Sequence, residues 1–297
     1  MRSGRIKPAA VWRIFILLCG FSAAAYGEIR LEDDLGSQVV LAAPAQRIIS
    51  LAPNITEMLY FVGAGDRIIG ADEYSNYPEE AKNILRVNNY QAANYELILS
   101  LKPDLVIAWH SGNGDQIIAR LRQLGLPVFV IEPRRLDDIA RIFHQFGVLS
   151  GLVAGATQKA EAFNDELASL RGRYEQAAPV RVFYQIWNEP LITLNGKHLV
   201  SDVIRLCGGV NVFGDAIPLV PYVNIEAVIR ANPQVIVASG SSDASPQWLQ
   251  MWRDWPAIDA VQHNRVYAIP PDLMQRHSMR ILEGAQSLCQ FLDGARQ

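Results

Sequence analysis

One stretch of the chain, residues 152–177, has the apolar periodicity of a long amphipathic helix. Its apolar or small side chains recur at alternating steps of three and four, so they share one face of the helix. At the rise of an α-helix it would be about 39 Å long, and Pro179 ends it. This length predicts a connector between two lobes, with an ordinary helix packed on one domain as the alternative. The shared face contains Val153, Ala156, Ala160, Phe163, Leu167, Leu170 and Tyr174.

The segment before this helix alternates short apolar runs with helical patterns. A hairpin at residues 29–40, with its turn at Asp34-Leu35-Gly36, precedes the alternation. Strands that alternate with helices imply a parallel sheet, in which ligands bind beyond the carboxyl ends of the strands. The predicted strands are residues 48–51, 68–71, around Val87, 105–108 and 128–131, and the predicted helices are residues 53–62, 96–100, 116–124 and 136–149.

The segment after the long helix repeats this architecture. Residues 96–108 align with residues 226–238 at a constant offset of 130 residues. In both copies a glutamate opens a short helix, a proline ends it and a buried strand follows. The strands predicted after the long helix are residues 180–186, 235–238 and 266–269, and the helices are residues 199–207 and 280–292.

Together these patterns predict an α/β fold with two Rossmann-like lobes. Each lobe has a parallel sheet, and one long backbone helix joins them. A cleft should lie between the strand ends of the two lobes. The predicted boundaries are residues 28–150 for the N-terminal lobe, 151–178 for the connecting helix and 179–297 for the C-terminal lobe.

Residues 1–27 have the composition of a secretory signal peptide, which we predict is cleaved after about Gly27. Four basic residues precede an apolar run at residues 14–25, which is shorter than the roughly 20 residues that span a bilayer. Leu18 before Cys19 argues against lipidation, so we expect a soluble exported protein. Cleavage removes four basic and no acidic residues, so the formal net charge falls from −3 to −7. This balance argues against nucleic acid as a partner.

Export leaves two cysteines, Cys207 and Cys289, in an oxidising compartment. Both come late in helical patterns of the second half, and we predict that they form a disulfide. Two buried free thiols are the alternative.

Aromatic residues are concentrated just after the predicted strands. Because these positions should border the cleft, they predict a site for a large ligand that is partly apolar and carries amide groups. The candidates in the first half are Tyr74, Tyr77, Tyr90 and Trp109, and those in the second half are Trp187, Asn188, Tyr222, Ser239, Gly240, Asp272, Gln275 and Arg276.

The sequence lacks the common signatures of enzymes. It has no Gly-x-Ser-x-Gly elbow, no phosphate-binding loop that ends in Lys-Ser or Lys-Thr, and no His-Glu-x-x-His motif. We therefore predict a binding protein rather than an enzyme, with no resident metal or cofactor. His110 and His277, on opposing rims of the predicted cleft, are kept as a metal or haem hypothesis.

Several segments of the chain carry a family resemblance. They are Ser50-Leu51-Ala52-Pro53-Asn54 with Thr56-Glu57, Tyr74-Ser75-Asn76-Tyr77-Pro78, Leu101-Lys102-Pro103-Asp104 through Trp109, Cys207-Gly208-Gly209 with Asn211 and Phe213, and Cys289. From about Arg47 onward the chain resembles the vitamin B12-binding family, within the helical-backbone class of periplasmic binding proteins. The Lys-Pro-Asp and Cys-Gly-Gly segments are shared across that class, whereas Tyr74, Trp109 and the paired cysteines together are more specific.

The resemblance implies a receptor that captures cobalamin between two lobes and delivers it to an ABC importer in the inner membrane. Cobalamin would be a transported ligand rather than a cofactor, and the receptor is expected to be a monomer. The chain departs from a well-known member at Tyr90 and Tyr222, where that member has tryptophans, and at Gln275, which replaces a glutamate. Haem, a ferric siderophore or another corrinoid are the alternative ligands. By resemblance, Tyr74, Tyr90, Trp109, Tyr222 and Asp272 surround the corrinoid.

The repeat itself predicts a docking feature. Glu96 and Glu226 occupy equivalent positions, so they should project from the two lobes as a pair of carboxylates. Such a pair could contact basic residues of a permease that is a symmetric dimer. The resemblance agrees, because family members dock through one glutamate in each lobe at these positions. The alternative is that each charge only complements its helix dipole, worth about 0.3 to 1 kcal/mol.

Overall fold

The computed structural model describes residues 27–89, 91–239 and 245–297. The predicted signal peptide, apart from its last residue, lies outside this range. The described chain begins with an antiparallel hairpin of β1 (Ile29–Glu32) and β2 (Gln38–Leu41), as predicted. The buried Asp33 carboxylate at its turn accepts a hydrogen bond of 2.6 Å from Arg122, so the hairpin is fixed to the N-terminal lobe.

The N-terminal lobe is built on five parallel strands. Its strands are β3 (Ile48–Ser50), β4 (Ile68–Asp72), β5 (Arg86–Asn88), β6 (Leu105–Trp109) and β7 (Val128–Ile131), and its helices are α1 (Pro53–Phe61), α2 (Tyr95–Ser100), α3 (His110–Gln123) and α4 (Leu136–Ser150). Short 3₁₀ helices occur at Gly65–Arg67 and Glu79–Asn83. The strand order is β5-β4-β3-β6-β7, so β3 lies at the centre of the sheet.

The start of α3 differs from the sequence prediction. The sequence predicts a helix from residue 116, but the observed helix begins at His110. It is kinked at Gly114, which has φ 73° and ψ 161°. Asn113 favours this first turn, because its side chain accepts a hydrogen bond from the Trp109 N–H and donates one to the Leu51 carbonyl.

The connecting helix, α5 (Val153–Tyr174), has 22 residues, which corresponds to about 33 Å. It is therefore shorter than the predicted 152–177. All predicted apolar positions on its inner face are buried except Val153, which is 50% exposed at the first turn. The helix packs on α4 at its start, and near its end the Tyr174 hydroxyl donates a hydrogen bond to Asp293 of the C-terminal lobe. It thus links the two lobes.

The C-terminal lobe has a second parallel sheet. Its strands are β8 (Val180–Gln185), β9 (Gly209–Asn211), β10 (Val235–Ala238) and β11 (Val266–Ala268), and its helices are α6 (Leu199–Leu206), α7 (Ile225–Ala231), α8 (Ser245–Gln250), α9 (Asp259–Gln262), α10 (Pro271–Met274) and α11 (Ile281–Arg296). A 3₁₀ helix lies at Met251–Asp254. The strand order is β11-β10-β8-β9. The prediction missed β9, because a glycine and an asparagine flank its single apolar residue, Val210.

One hydrophobic core runs through both lobes. It joins one face of each sheet with α4, α5, α6 and α11, while the opposite face of each sheet has a smaller core of its own. The predicted disulfide is confirmed: Cys207, at the end of α6, is bonded to Cys289 in α11, and both are fully buried. Within the described ranges, no helix is long and apolar enough to cross a membrane.

Candidate ligand-binding cleft

The internal repeat of the sequence is also seen in the helix caps and backbone conformation of the two lobes. In each copy an asparagine side chain caps the short helix, and the residue before the proline has a positive φ, 47° in one lobe and 41° in the other. The side chain after each proline accepts a hydrogen bond from a backbone N–H at the start of an inner strand, that of Arg47 just before β3 and that of Arg181 in β8. The equivalent pairs are Asn94 and Asn224, Glu96 and Glu226, Lys102 and Asn232, and Asp104 and Gln234. Both glutamates are exposed.

The loop after β4 presents Tyr74 and Tyr77 at the rim of the N-terminal lobe, where both rings are partly exposed. A buried carboxylate supports this loop: Asp72 accepts hydrogen bonds from the Tyr74 N–H at 2.9 Å and from Asn88 Nδ2 at 2.8 Å. Burial raises the pKa of Asp72 above its ordinary value.

Below the loop, hydroxyl groups link it to the start of the sheet. Thr56 is hydrogen-bonded to Ser50 at 2.8 Å and to Ser75 at 2.9 Å, and all three side chains are buried. Arg86 donates to the carbonyl oxygens of Asp72 and Ser75. The rim is therefore anchored by polar groups as well as by packing.

Trp109 ends β6 at the floor of the cleft. Its ring meets that of His277, from the C-terminal lobe, edge to face at 5.1 Å between centroids. His277 is in turn 5.2 Å from the ring of His198. Neither His277 nitrogen, nor the Trp109 indole nitrogen, has a hydrogen-bond partner among the described residues.

Both histidines of the floor are neutral at pH 7. Burial lowers the pKa of His198 to about 4, with a further contribution from Arg134. Burial also lowers the pKa of His277 well below its ordinary value, and His198 and Arg134 act in the same direction.

His110 has a different environment from His277. Its imidazole is 2.8 Å from Asp115 and 4.0 Å from Glu132. Across the part of the chain that the structure describes, no group of three or more His, Cys, Asp or Glu side chains could hold a metal ion.

The C-terminal lobe contributes a second aromatic group. Isolated β-bridges join Trp187 to Ile192 and Ile192 to Tyr222, so the two aromatic residues are held together by backbone pairing. The Trp187 ring also meets that of Trp248 at 5.4 Å. Tyr222 is 72% exposed. The sequence analysis did not identify Trp248, because the segment before this residue has neither the alternation of a strand nor the periodicity of a helix.

The polar candidates of the C-terminal lobe lie on and after α10. Gln275 donates to the Ser239 carbonyl, which attaches it to the end of β10. Gln185 similarly donates to Asn188 at the end of β8. Arg276 pairs with Asp272 at 3.0 Å and also with Glu57 of α1, in the other lobe, at 3.0 Å. The sequence analysis placed Glu57 in a family motif without assigning it a role.

Two of the candidates, Tyr90 and Gly240, lie outside the described residues. Three of the others contact the C-terminal segment 276–280. The Tyr74 carbonyl accepts a hydrogen bond from Arg276, the Tyr77 ring lies under the Arg280 guanidinium, and the Trp109 ring meets that of His277. Trp187 and Tyr222 form the separate group on the C-terminal lobe.

A cavity of about 460 Å³ opens between the lobes beside α4. Several basic residues border it, and its three arginines are all paired with acids. Arg134 lies 2.9 Å from Glu132, Arg205 lies 2.9 Å from Asp202 and Arg135 lies 3.8 Å from Asp137. The lining residues are Arg134, Arg135, Asn195, Gly196, Lys197, Arg205, Ile217 and Leu219.

Comparison with known proteins agrees with this architecture. A family model described as periplasmic binding protein matches residues 48–273, and the chain belongs to that family. The vitamin B12-binding protein of Vibrio cholerae serotype O1 is 41% identical over 255 residues, which cover 86% of this chain and 91% of that relative. The vitamin B12-binding protein of Yersinia pestis (strain Pestoides F) is 39% identical over 249 residues, covering 84% and 87%.

A solved structure is also similar. The crystal structure of the periplasmic vitamin B12-binding protein of Vibrio cholerae has a TM-score of 0.81 to this chain at 40% identity. The match covers 86% of this chain and 99% of that one. The predicted fold, with two parallel sheets and a helix that links the lobes, is confirmed.

Proposed function

We propose that this protein captures cobalamin in the cleft between its lobes and delivers it to an ABC importer in the inner membrane. The observation that carries the proposal is the 41% identity to a vitamin B12-binding protein, over 91% of that relative. The proposed location is the periplasm, after cleavage of the signal peptide near Gly27. The protein would act as a monomeric receptor that binds and releases its ligand unchanged.

The chemistry of the cleft suits a corrinoid. Cobalamin is large, with an apolar macrocycle and many peripheral amides, and aromatic faces can pack on the macrocycle while polar side chains hydrogen-bond the amides. The aromatic groups on both lobes support this assignment. The proposed ligand-binding residues are Tyr74, Tyr77, Tyr90, Trp109, Trp187, Tyr222, Asp272, Gln275 and Arg276.

The state of the basic residues favours cobalamin over haem or a ferric siderophore. Those ligands carry several carboxylates or other anionic groups, which are best met by arginines that lack another partner. Arg276 is already paired with Glu57 and Asp272, and Arg134 is paired with Glu132. An anionic ligand would have to compete with these carboxylates.

The ligand assignment is tested by titration of the purified mature protein. We expect cyanocobalamin to bind with one-to-one stoichiometry in isothermal titration calorimetry and to be recovered with an unchanged absorbance spectrum. Haem serves as the comparison ligand. Tighter binding of haem than of cyanocobalamin would contradict the proposal, and chemical conversion of the recovered corrinoid would indicate an enzyme.

Delivery to the importer is proposed to depend on Glu96 and Glu226. Their equivalent positions in the two lobes, each exposed at the second residue of a short helix, support two matched contacts with a dimeric permease.

A further inference from the structure

Glu57 is a buried carboxylate of one lobe whose partners come from the other. Its side chain, in α1 of the N-terminal lobe, is fully buried. Among the residues that the structure describes, the side chains that bond to Glu57 all belong to the C-terminal lobe. Arg276 donates to Oε1 at 3.0 Å, Ser278 donates to Oε2 at 2.6 Å, and Arg280 lies 3.4 Å from Oε1. We call these four residues the interlobe clamp.

The clamp also holds the N-terminal rim of the cleft. Arg276 donates to the Asn76 side chain at 2.7 Å and to the Tyr74 carbonyl at 3.3 Å. The Arg280 guanidinium lies over the Tyr77 ring, 4.3 Å from its centroid. Both arginines that contact Glu57 therefore also contact the loop that carries the two rim tyrosines.

In the C-terminal lobe, the clamp contacts one of the candidate ligand-binding residues. Arg276 pairs with Asp272, one turn earlier, at 3.0 Å. The Arg276 side chain is only 13% exposed, so it lies between Asp272 and the N-terminal rim rather than in solvent. A continuous series of contacts thus joins Tyr74 and Tyr77 to Asp272, and Glu57 is at its centre.

The pKa of Glu57 indicates that this cluster fixes the positions of its members rather than adding much stability. Burial raises the pKa of Glu57, although Ser278, Arg276 and Arg280 all act to lower it. Ionisation of Glu57 is therefore harder in the folded protein than in water, which means that the ion pairs do not fully offset desolvation. Buried ion pairs of this kind contribute little net stability but restrict the arrangement of the groups that they join.

We propose that Glu57 is a positioning residue of the cleft: by holding Arg276 and Arg280, it sets the spacing between the Tyr74–Tyr77 rim and Asp272. Ligand affinity then depends on Glu57 without any contact between Glu57 and the ligand. The effect on affinity rests on the proposed cobalamin function, whereas the effect on lobe spacing does not.

Substitution of Glu57 tests the proposal on affinity. Glu57→Gln keeps the shape of the side chain and its capacity to accept a hydrogen bond from Ser278, but removes the charge that holds both arginines. We expect the Kd for cyanocobalamin to rise at least tenfold. Glu80→Gln, the same change at an exposed site of the same lobe, should leave the Kd unchanged. An unchanged Kd in a folded Glu57→Gln variant would overturn the proposal.

A triple variant separates positioning from general destabilisation. Because Glu57 acts through Arg276 and Arg280, adding Glu57→Gln to a protein that carries Arg276→Met and Arg280→Met should change the Kd by less than twofold. If Glu57→Gln raises the Kd in that background as much as in the wild type, Glu57 acts independently of both arginines and the proposal is overturned. If Glu57→Gln does not fold, Ser278→Ala and Arg280→Met weaken the clamp from the other lobe. Wild-type affinity in both of these variants would also overturn the proposal.

The spacing of the lobes can be measured without any ligand. Nitroxide labels at Ala119→Cys in α3 and Arg230→Cys in α7, both exposed positions, report the distance between the lobes by pulsed electron paramagnetic resonance. We expect a longer or broader distance distribution in Glu57→Gln and an unchanged one in Glu80→Gln. Identical distributions would contradict the clamp. A wild-type protein that binds no cyanocobalamin would instead refute only the proposed function.

Discussion

Trp109 owes its position in the cleft to a glycine three residues later. A Cβ at Gly112 would lie 2.4 Å from the Cε3 atom of the indole, which is far closer than van der Waals contact. On its other side the indole meets the His277 ring. The side chain is thus confined between the first turn of α3 and the opposite lobe.

We predict that Gly112→Ala weakens cyanocobalamin binding by displacing the Trp109 indole. The expected loss is about 1 kcal/mol or more, and Trp109→Ala should cost roughly 1 to 3 kcal/mol, because aromatic burial against the ligand is lost. Calorimetric titration measures both. Gly172→Ala, at an exposed helical glycine with open space around its Cβ position, is the control and should not alter affinity. Wild-type affinity in Trp109→Ala would place the site elsewhere.

The buried histidines of the cleft floor predict a loss of stability in acid. Because burial lowers the pKa of His198 from 6.5 to about 4, the unfolded chain binds a proton between these pH values that the native state does not. The free energy of unfolding should therefore fall as the pH decreases from about 6.5 to about 4, by at most ~1.4 kcal/mol per pH unit for each such histidine. The pKa of His277 is also lowered by burial, so this residue should likewise lower the free energy of unfolding as the pH decreases.

The histidine prediction is checked by urea denaturation between about pH 4 and about pH 7, the range in which imidazoles titrate. His198→Asn should flatten the pH dependence while keeping an N-cap, since the His198 ring accepts a hydrogen bond from the Val200 N–H. His144→Asn, at an exposed site, should leave it unchanged. The buried carboxylates Glu57 and Asp72 have raised pKa values and so act in the opposite direction. A profile that His198→Asn does not change would contradict the assignment.

Among the secondary-structure elements, α4 and α5 make the closest helix–helix contact in the connecting region. They are joined by Gly151, which adopts a left-handed conformation with a φ of 70°. A Cβ at Gly147 in α4 would lie 2.4 Å from the Cβ of Ala156 in α5. Small residues on both helices therefore allow α5 to lie close to the N-terminal lobe.

We predict that Gly147→Ala lowers the free energy of unfolding by about 1 to 3 kcal/mol, because the added methyl group forces the two helices apart. Urea denaturation measures the change. Gly155→Ala, one residue before Ala156 and with open space at its Cβ position, should instead be neutral or stabilise by up to about 1 kcal/mol. If both substitutions changed the free energy of unfolding equally, the close contact between α4 and α5 would not be the cause of the change.

The disulfide joins α6 to α11 across a sequence separation of 82 residues. Replacing both cysteines with alanine should lower the free energy of unfolding by roughly 2 to 4 kcal/mol, because the unfolded chain regains the entropy of the open loop. Since the bond lies within the C-terminal lobe and away from the rims, cyanocobalamin affinity should remain close to wild type. Equal stability of the wild type and the double variant in urea would contradict this account.

At the scale of the whole molecule, the two lobes are related by the repeat and share one core. The repeat places one exposed carboxylate on each lobe, and the shared core limits how far these two groups can move relative to each other. Such an arrangement supports binding to a partner that itself has twofold symmetry.

We predict that Glu96→Arg combined with Glu226→Arg abolishes binding to the permease and leaves cyanocobalamin affinity intact. The reversed charges would repel the basic residues of the partner. Surface plasmon resonance with the purified importer measures the first effect, and calorimetry the second. Reversal of two exposed glutamates, Glu161 in α5 and Glu175 just after it, changes the net charge equally and serves as the control. Normal permease binding by the Glu96/Glu226 variant would refute the docking proposal.

The sequence by itself determined the features that depend on local periodicity. The inner face of α5 follows from its spacing of apolar residues, and the parallel sheets follow from strands that alternate with helices. The repeat was visible because equivalent local structures need equivalent residues, such as the proline after each short helix. The disulfide was predictable because the predicted mature chain has a single pair of cysteines.

Only the tertiary structure decided which distant groups meet. Glu57 and Arg276 are 219 residues apart in the chain, and no local pattern relates them. The same holds for the contact between Trp109 and His277 and for that between Trp187 and Trp248. Periodicity reports whether a side chain is buried, since burial depends on the face of its own helix or strand. The partner of a buried side chain depends on how the lobes pack together, and that packing is a property of the whole chain.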